Sequence, residues 1–364
     1  MINSYSLLMA KTIMSRFPKA DNYPYKSWSY PQGFVLWGFI RLFEKTGDKK
    51  YADYVLDYCS FHVKDNGEIP AFSGVSLDDI MTGSVLVWAW GKTKEEKYKI
   101  ACDLIFKSYE DYPRNNDGGF WHDRNLPYEM WVDGLFMGLM FLTRYGKFIG
   151  NQDFCFSETV KQLSIIFDAC EKDSSGLLYH AYSEDRKARW AHPITGKAPE
   201  IWSEGLGWYA MILADVLELL QDTDWMSKNQ AGFRQLVMQM TKLVDGLEKV
   251  QDPNSGLWYQ VVDKPSHPRN WHDTSGTAMF LYGIKKAGLL GICDREQCDA
   301  VAAKAFDGLK TKCVIDYESR ANIHDACNGL GVQLNYDAYV DYRRNINCQE
   351  AIAAFLWASV IMEY

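Results

Sequence analysis

Two aspartates stand where carboxyl chemistry would need them. Asp133 lies in Tyr128-Glu129-Met130-Trp131-Val132-Asp133-Gly134-Leu135-Phe136, with aromatic residues before it and an apolar run after it. Asp78 occupies a similar place in Leu77-Asp78-Asp79-Ile80. Each has two readings. As a helix cap, an aspartate would accept backbone N–H bonds and do no chemistry. As a general acid, it would use its apolar setting, because desolvation raises a carboxyl pKa toward neutrality. If both carboxyls face one pocket, their charges repel, one keeps its proton and their titrations couple. The local residues leave both readings open.

His122 and His180 follow a recurring element. Gly118-Gly119-Phe120-Trp121-His122, Ser175-Gly176-Leu177-Leu178-Tyr179-His180 and Ser255-Gly256-Leu257-Trp258-Tyr259-Gln260 are each a Gly turn leading into a β-prone stretch. They predict short strands in loops at one mouth of the fold, carrying His122, Tyr179 and His180 to a pocket rim. The pair reads equally as substrate contacts or as satisfied polar groups. A metal site fits poorly. The seven histidines are scattered without HxxxH or HxH, and none of the nine cysteines forms CxxC. GxGxxG, GxxxxGK[ST] and GxSxG are absent too, which removes support for nucleotide and serine-hydrolase chemistry.

These residues must be held by helices. Apolar residues recur at three- and four-residue intervals, predicting helices near 3–16, 32–46, 49–63, 79–91, 95–110, 131–146, 156–171, 203–220, 229–249, 273–288, 296–310 and 348–362. Six of them begin with aromatic, polar and Gly residues, at Tyr30, Leu77, Trp131, Trp202, Trp271 and Asn347, spaced 47, 54, 71, 69 and 76 residues apart. Those six are apolar on most sides, so they are buried. The alternating six carry charge on one face, as Lys94-Glu95-Glu96-Lys97 and Glu248-Lys249 do. The pattern predicts an all-α chain of two concentric rings, an (α/α)6 barrel of six inner and six outer helices. No Pro- or Ser-rich linker interrupts it, so residues 1–364 are expected to form one domain. The starts of the inner helices would then converge on a central pocket.

Composition narrows the partners. Lys plus Arg is 39 and Asp plus Glu is 47, a net charge of −8, so nothing is available to neutralise nucleic-acid phosphates. Aromatic residues make up 15%, many beside Gly, Asp, His or Pro rather than within apolar runs. They suit either a large core or a cleft whose rings stack on sugar C–H faces. No apolar run reaches the roughly 18 residues of a membrane span. The start of the chain lacks the pattern of a secretory signal, and the unpaired cysteines suit a reducing compartment. The expectation is a cytoplasmic protein that binds neither nucleic acid nor membrane. The sequence sets no oligomeric state.

Over roughly residues 6–362 the chain resembles the unsaturated rhamnogalacturonyl hydrolases of glycoside hydrolase family 105, and more distantly the unsaturated glucuronyl hydrolases of family 88. The motifs that carry it are Gly118-Gly119-Phe120-Trp121-His122 and Met130-Trp131-Val132-Asp133-Gly134-Leu135-Phe136-Met137-Gly138. Tyr30-Pro31-Gln32-Gly33, Leu77-Asp78, Gly176–His180, Trp202 with Gly207-Trp208-Tyr209, Gly256–Gln260 and Ser275-Gly276 support it in order and spacing. The resemblance implies an (α/α)6 barrel that removes a 4,5-unsaturated uronic acid from the non-reducing end of pectin-type lyase products. It further implies that Asp133 is the general acid/base and that Asp78 assists. Tyr30, His122, Trp131, His180, Trp202 and Trp208 would line the sugar site, with no metal or cofactor. One position departs. Many family members carry Arg where this chain has Glu204, so a sugar carboxylate would meet a carboxyl group there. Arg186, Lys187 or Arg189 in the following loop could supply the missing charge.

Two other classes remain on the sequence. Another (α/α)6 sugar enzyme, such as a 2-epimerase or an inverting glycosidase, would keep the barrel. A 2-epimerase would need a His pair on facing inner helices. A non-catalytic oligosaccharide-binding protein would keep the aromatic wall and have no need of Asp133.

Overall fold

A computed structural model describes residues 3–24 and 27–364. Six apolar helices pack side by side in a closed ring: Tyr30–Thr46, the pair Leu77–Met81 and Gly83–Thr93, Val132–Phe148, Ser203–Leu220, Thr274–Leu289 and Gln349–Glu363. Each touches the next, and the last returns to the first. Their composition explains their place. In Val132–Phe148 every residue through Gly146 is buried, and Ser203–Leu220 is almost as enclosed, so neither has a face to offer water. Tyr5–Arg16, Lys49–His62, Glu96–Lys107, Gln152–Cys170, Gln230–Val250 and Arg295–Thr311 form the outer layer, each against an inner helix. The all-α (α/α)6 architecture is therefore as the periodicity indicates.

Three local differences matter. The segment expected as one helix over 79–91 is two, meeting at Thr82. The Thr82 hydroxyl donates to the Ser29 carbonyl (2.6 Å), tying the joint to the neighbouring inner helix. Two short helices, Asp224–Lys228 and Tyr336–Val340, lie in connections where no periodicity signalled them. Strand formation is also sparser than the three Gly-turn elements suggest. Only Trp258–Tyr259 of the third pairs as a strand, with His272–Asp273. The first two contribute single bridges, Arg114 to Phe120 and Glu171 to Leu178.

These loops do register the inner helices. The Leu77 N–H donates to the His122 carbonyl (3.1 Å), Val132 to His180 (3.0 Å), Ser203 to Gln260 (2.9 Å) and Thr274 to Asp325 (3.0 Å). At the start of each of these helices an otherwise unpaired N–H is thus satisfied by the carbonyl of a loop residue from the next repeat. His122, His180, Gln260 and Asp325 are equivalent positions in a structural repeat. The backbone bond that closes each repeat also fixes the side chain at the helix start.

Candidate active site

The pocket lies at the inner-helix N-termini. Its cavity of about 240 Å³ is lined by Tyr30, Asp78, His122, Trp131, Asp133, Met137, Trp202, Glu204, Trp208 and the loop Gly329–Gly331. Ligand sites usually run from about 300 Å³ upward, so this one suits a single sugar ring rather than a chain threaded through it.

Neither aspartate is a cap. The cap position before Val132–Phe148 is Trp131, whose side chain makes no capping bond, and Asp133 lies within the first turn. Ahead of Leu77–Met81, Ser76 does the capping and accepts from the Asp78 N–H. Asp273 is an aspartate cap at the start of an inner helix, accepting from the N–H groups of Ser275 and Gly276.

Two imidazoles organise the acids. His122 lies between them, with Nε2 3.8 Å from Asp78 Oδ1 and Nδ1 4.0 Å from Asp133 Oδ2. Gly134 permits this approach, since a Cβ there would come within 2.7 Å of His122 Nδ1. His180 Nε2 is 3.4 Å from Asp133 Oδ1, while its Nδ1 is 2.8 Å from the Tyr339 hydroxyl. The Asp133–His180 contact is too long and too poorly aimed for a full hydrogen bond. It leaves Asp133 Oδ1 and His180 Nε2 without hydrogen-bond partners, and His122 Nδ1 likewise. Buried polar atoms in this state are costly and are ready for a ligand.

The electrostatics reverse one expectation. Burial pushes the Asp133 carboxyl up, but the two adjoining imidazoles, His180 first and then His122, outweigh it, and the net shift is downward. Desolvation, the effect that the general-acid reading of Asp133 relies on, acts here but is defeated by two imidazoles against one carboxyl. Asp78 is the raised one, pushed up to about 6, first by burial and then by Asp133, Asp79 and Asp123 against the opposing effect of His122. Burial lowers His180 despite Asp133, which favours a neutral ring. The resting pocket therefore pairs an ionised Asp133 with an Asp78 that holds its proton to about pH 6.

Of the aromatic residues singled out in sequence, Tyr30, Trp131, Trp202 and Trp208 line this one cavity. Trp131 stacks on His122 with centroids 4.2 Å apart and an interplanar angle of 12°. Trp208 is seated from behind by Phe34 (4.4 Å) and Phe136 (4.6 Å). His122 is in the lining. His180 is not at the rim: it is 1% exposed and packs behind Asp133 against Trp202 (4.6 Å). Tyr179 lies elsewhere, in a separate cavity beside Lys172 and Lys197, because the residue before His180 points away from the barrel axis. Arg186, Lys187 and Arg189 supply no charge to the pocket. None lines it, and Lys187 is exposed and paired with Asp185.

Four contributors escaped the sequence reading. Met137, the Gly329–Gly331 loop, Tyr339 and Glu350 join the site through tertiary packing. Glu350 had a visible signal, since it begins the last inner helix as Asp133 and Glu204 begin theirs. The loop and Tyr339 had none. Among the described residues no three His, Cys, Asp or Glu side chains are grouped to hold a metal ion. None of the helices there is long and apolar enough to cross a membrane.

The profile of Glycosyl Hydrolase Family 88 matches residues 5–364. The chain belongs to this family. A solved Family 105 glycoside hydrolase from C. acetobutylicum is 29% identical, covers 99% of both chains and superposes with a TM-score of 0.91. The unsaturated rhamnogalacturonyl hydrolase YesR of Bacillus subtilis is 23% identical over 270 residues, 72% of each protein. Protein Atu3128 of Agrobacterium fabrum is 32% identical over 191 residues, 51% of this chain and 78% of that protein. As a Family 88 member the protein is a glycoside hydrolase, and the resemblance to families 105 and 88 seen in its motifs holds across the fold.

Proposed function

We propose that this glycoside hydrolase releases a 4,5-unsaturated uronic acid from the non-reducing end of pectin-type, rhamnogalacturonan-derived lyase products. The observation that carries the reading is a one-sugar cavity in which His122 lies between the Asp78 and Asp133 carboxyl groups, with tryptophans as its wall. The name of YesR supports the sugar class.

The chemistry follows from the substrate. A 4,5-unsaturated uronide is an enol ether. A proton delivered to C4 leaves an oxocarbenium-like centre at C5. Water adds there and gives up a proton, forming a hemiketal. That hemiketal opens, C1 becomes a hemiacetal, and the neighbouring sugar departs with its oxygen. One water is consumed and no bond is attacked at C1, so the two-carboxylate spacing rule of ordinary glycosidases does not apply.

Asp133 performs both proton transfers. It is ionised at rest, but an anionic sugar that fills the cavity removes its water and adds a negative charge. Both effects raise a carboxyl pKa. Asp78, neutral below about pH 6, limits the negative charge facing the incoming sugar. Trp131, Trp202, Trp208 and Tyr30 hold the ring, and His122 and His180 orient Asp133. The test is to supply lyase-generated unsaturated disaccharides and follow the ultraviolet absorbance of the enol ether. Steady loss of that absorbance with release of the second sugar is expected. Intact absorbance over a panel of unsaturated disaccharides, alongside hydrolysis of saturated ones, would replace this reading with an ordinary glycosidase.

A further inference from the structure

Ser275 lies between two carboxyl groups. Its Oγ is 2.8 Å from Glu204 Oε2, and 2.9 and 3.0 Å from the two oxygens of Asp273. A serine hydroxyl has one proton to give. Donated to one carboxylate, it leaves the second contact in need of a proton from the carboxyl side. Burial pushes the Asp273 carboxyl up, but it already accepts the backbone N–H groups of Gly276 (2.8 Å) and Cys327 (2.9 Å), which favour its anion over that of Glu204. Among the described residues Glu204 has no comparable backbone donor. The proton count is therefore satisfied when Ser275 donates to Asp273 and Glu204 donates to Ser275.

The surroundings agree. Glu204 is 1% exposed and lines the cavity, whose described lining contains no Lys or Arg. The groups that face it from the neighbouring elements are acidic or neutral: Glu350, Asp273, Asp133, Tyr30, Cys327 and the His180 ring beside Gly205. Burial, then Glu350 and Asp273, hold the Glu204 proton well above the usual carboxyl range. Glu350 accepts at Oε1 from the Tyr30 hydroxyl (2.7 Å) and from the Gln349 amide (3.0 Å), and among the described residues no hydrogen bond joins it to Glu204.

We propose that Glu204 is a specificity-determining residue that works as a neutral carboxylic acid: its proton is committed to Ser275, and its other oxygen accepts a hydroxyl of the bound sugar. The inference rests on the cavity being the unsaturated-uronide site. It assigns the ring edge at Glu204 to a hydroxyl and directs the sugar carboxylate elsewhere in the pocket. Neutrality is what admits an anionic substrate beside so many acids. Once Glu204 ionises, it repels that substrate.

The experiment measures KM and kcat against pH for unsaturated disaccharides with the parent, Glu204→Gln and Glu204→Leu. In the parent, KM rises toward alkaline pH. Glu204→Gln loses that rise, because an amide does not ionise. Glu204→Leu raises KM roughly tenfold, about the worth of one hydrogen bond, with a smaller change in kcat. An infrared difference spectrum, parent minus Glu204→Gln without substrate, reads the protonation state independently of turnover and of whether the leucine variant folds. A protonated-carboxyl band at neutral pH that vanishes in alkali supports the proposal. A carboxylate band at neutral pH, or a rise in KM above the range in which Asp78 titrates that persists in Glu204→Gln, overturns it. If the parent consumes no unsaturated uronide, the proposed function fails, and the infrared band still decides the state of Glu204.

Discussion

The two ends of the barrel each bury carboxyl groups, and they treat them in opposite ways. At the N-terminal ends of the inner helices, Asp78, Glu204 and Glu350 are raised above their ordinary pKa values, with no Lys or Arg in the described lining of the cavity. At the C-terminal ends, Asp215 is fully buried but saturated with donors. Arg41 reaches both of its oxygens (2.9 and 2.7 Å), Arg144 one (2.5 Å) and the Tyr282 hydroxyl the other (2.7 Å). Burial pushes Asp215 up, but the two guanidinium groups pull it far below the carboxylate range. The guanidinium planes lie over Trp357 (4.3 Å from Arg41) and Trp37 (4.3 Å from Arg144). Lys286 pairs with Glu218 (2.6 Å). Helix dipoles favour cations at this end and anions at the other. The C-terminal end follows that preference, and Asp215 there is electrostatically satisfied. The N-terminal end overrides it through burial and like charge at Asp78, Glu204 and Glu350, which hold their protons more tightly, while Asp133 between its imidazoles stays ionised. The difference separates a structural network from a poised one.

The largest expected effect tests the poised end. Asp133→Asn removes proton transfer and leaves Trp131 in the cap position, so the fold should persist. Turnover should fall by roughly 10²–10⁴ or more, the usual scale of general acid–base catalysis. Absorbance loss on unsaturated disaccharides, with thermal unfolding as control, measures it; full activity in a folded variant would erase the contrast between the ends. Asp215→Asn should do the reverse. It leaves two buried guanidinium groups short of their counter-charge, a loss of about 3–5 kcal/mol in denaturant unfolding, while kcat per folded molecule stays near that of the parent.

pH sharpens the comparison, because the signs oppose. Asp78 titrates near 6 in the folded protein against 3.8 ordinarily. The unfolded chain therefore releases this proton first, and the parent loses stability as pH rises from about 4 to about 6. Asp78→Asn escapes that loss, so its thermal midpoint relative to the parent should climb across this window and then level off. Asp215 is depressed, so its contribution is complete above the ordinary carboxylate pKa and fades as pH falls. The deficit of Asp215→Asn should shrink on acidification. Parallel pH trends in the two variants would contradict the opposed charge states. The smallest effect concerns Tyr339, whose hydroxyl meets His180 Nδ1. Tyr339→Phe should lower kcat by roughly two- to tenfold, the worth of one hydrogen bond, with little change in KM. A KM change alone would give Tyr339 a binding role instead.

The sequence by itself determined the twelve principal helices, which six are inner, and that aromatic and acidic residues stand at their starts. Each of these is local. Apolar residues on every face leave a helix nowhere to sit but between others, as in Val132–Phe148, and the start of an inner helix is recognisable from a few neighbours. The sequence also put Asp133, Asp78, His122 and the tryptophans in one group, because equivalent positions in a ring must meet at its axis. Only the tertiary structure decided the charge on each group. Asp133 and Asp78 look alike in sequence, yet one is pulled down and the other pushed up by imidazoles and carboxyls from different repeats. The protonation of Glu204 likewise depends on Ser275, Asp273 and Glu350, up to 146 residues away along the chain. The covering loop Gly329–Gly331 and the Tyr339 contact carry no periodic signal, since loops are fixed by what they pack on. A pKa is set by burial and by nearby charge, and folding supplies both from residues distant in sequence.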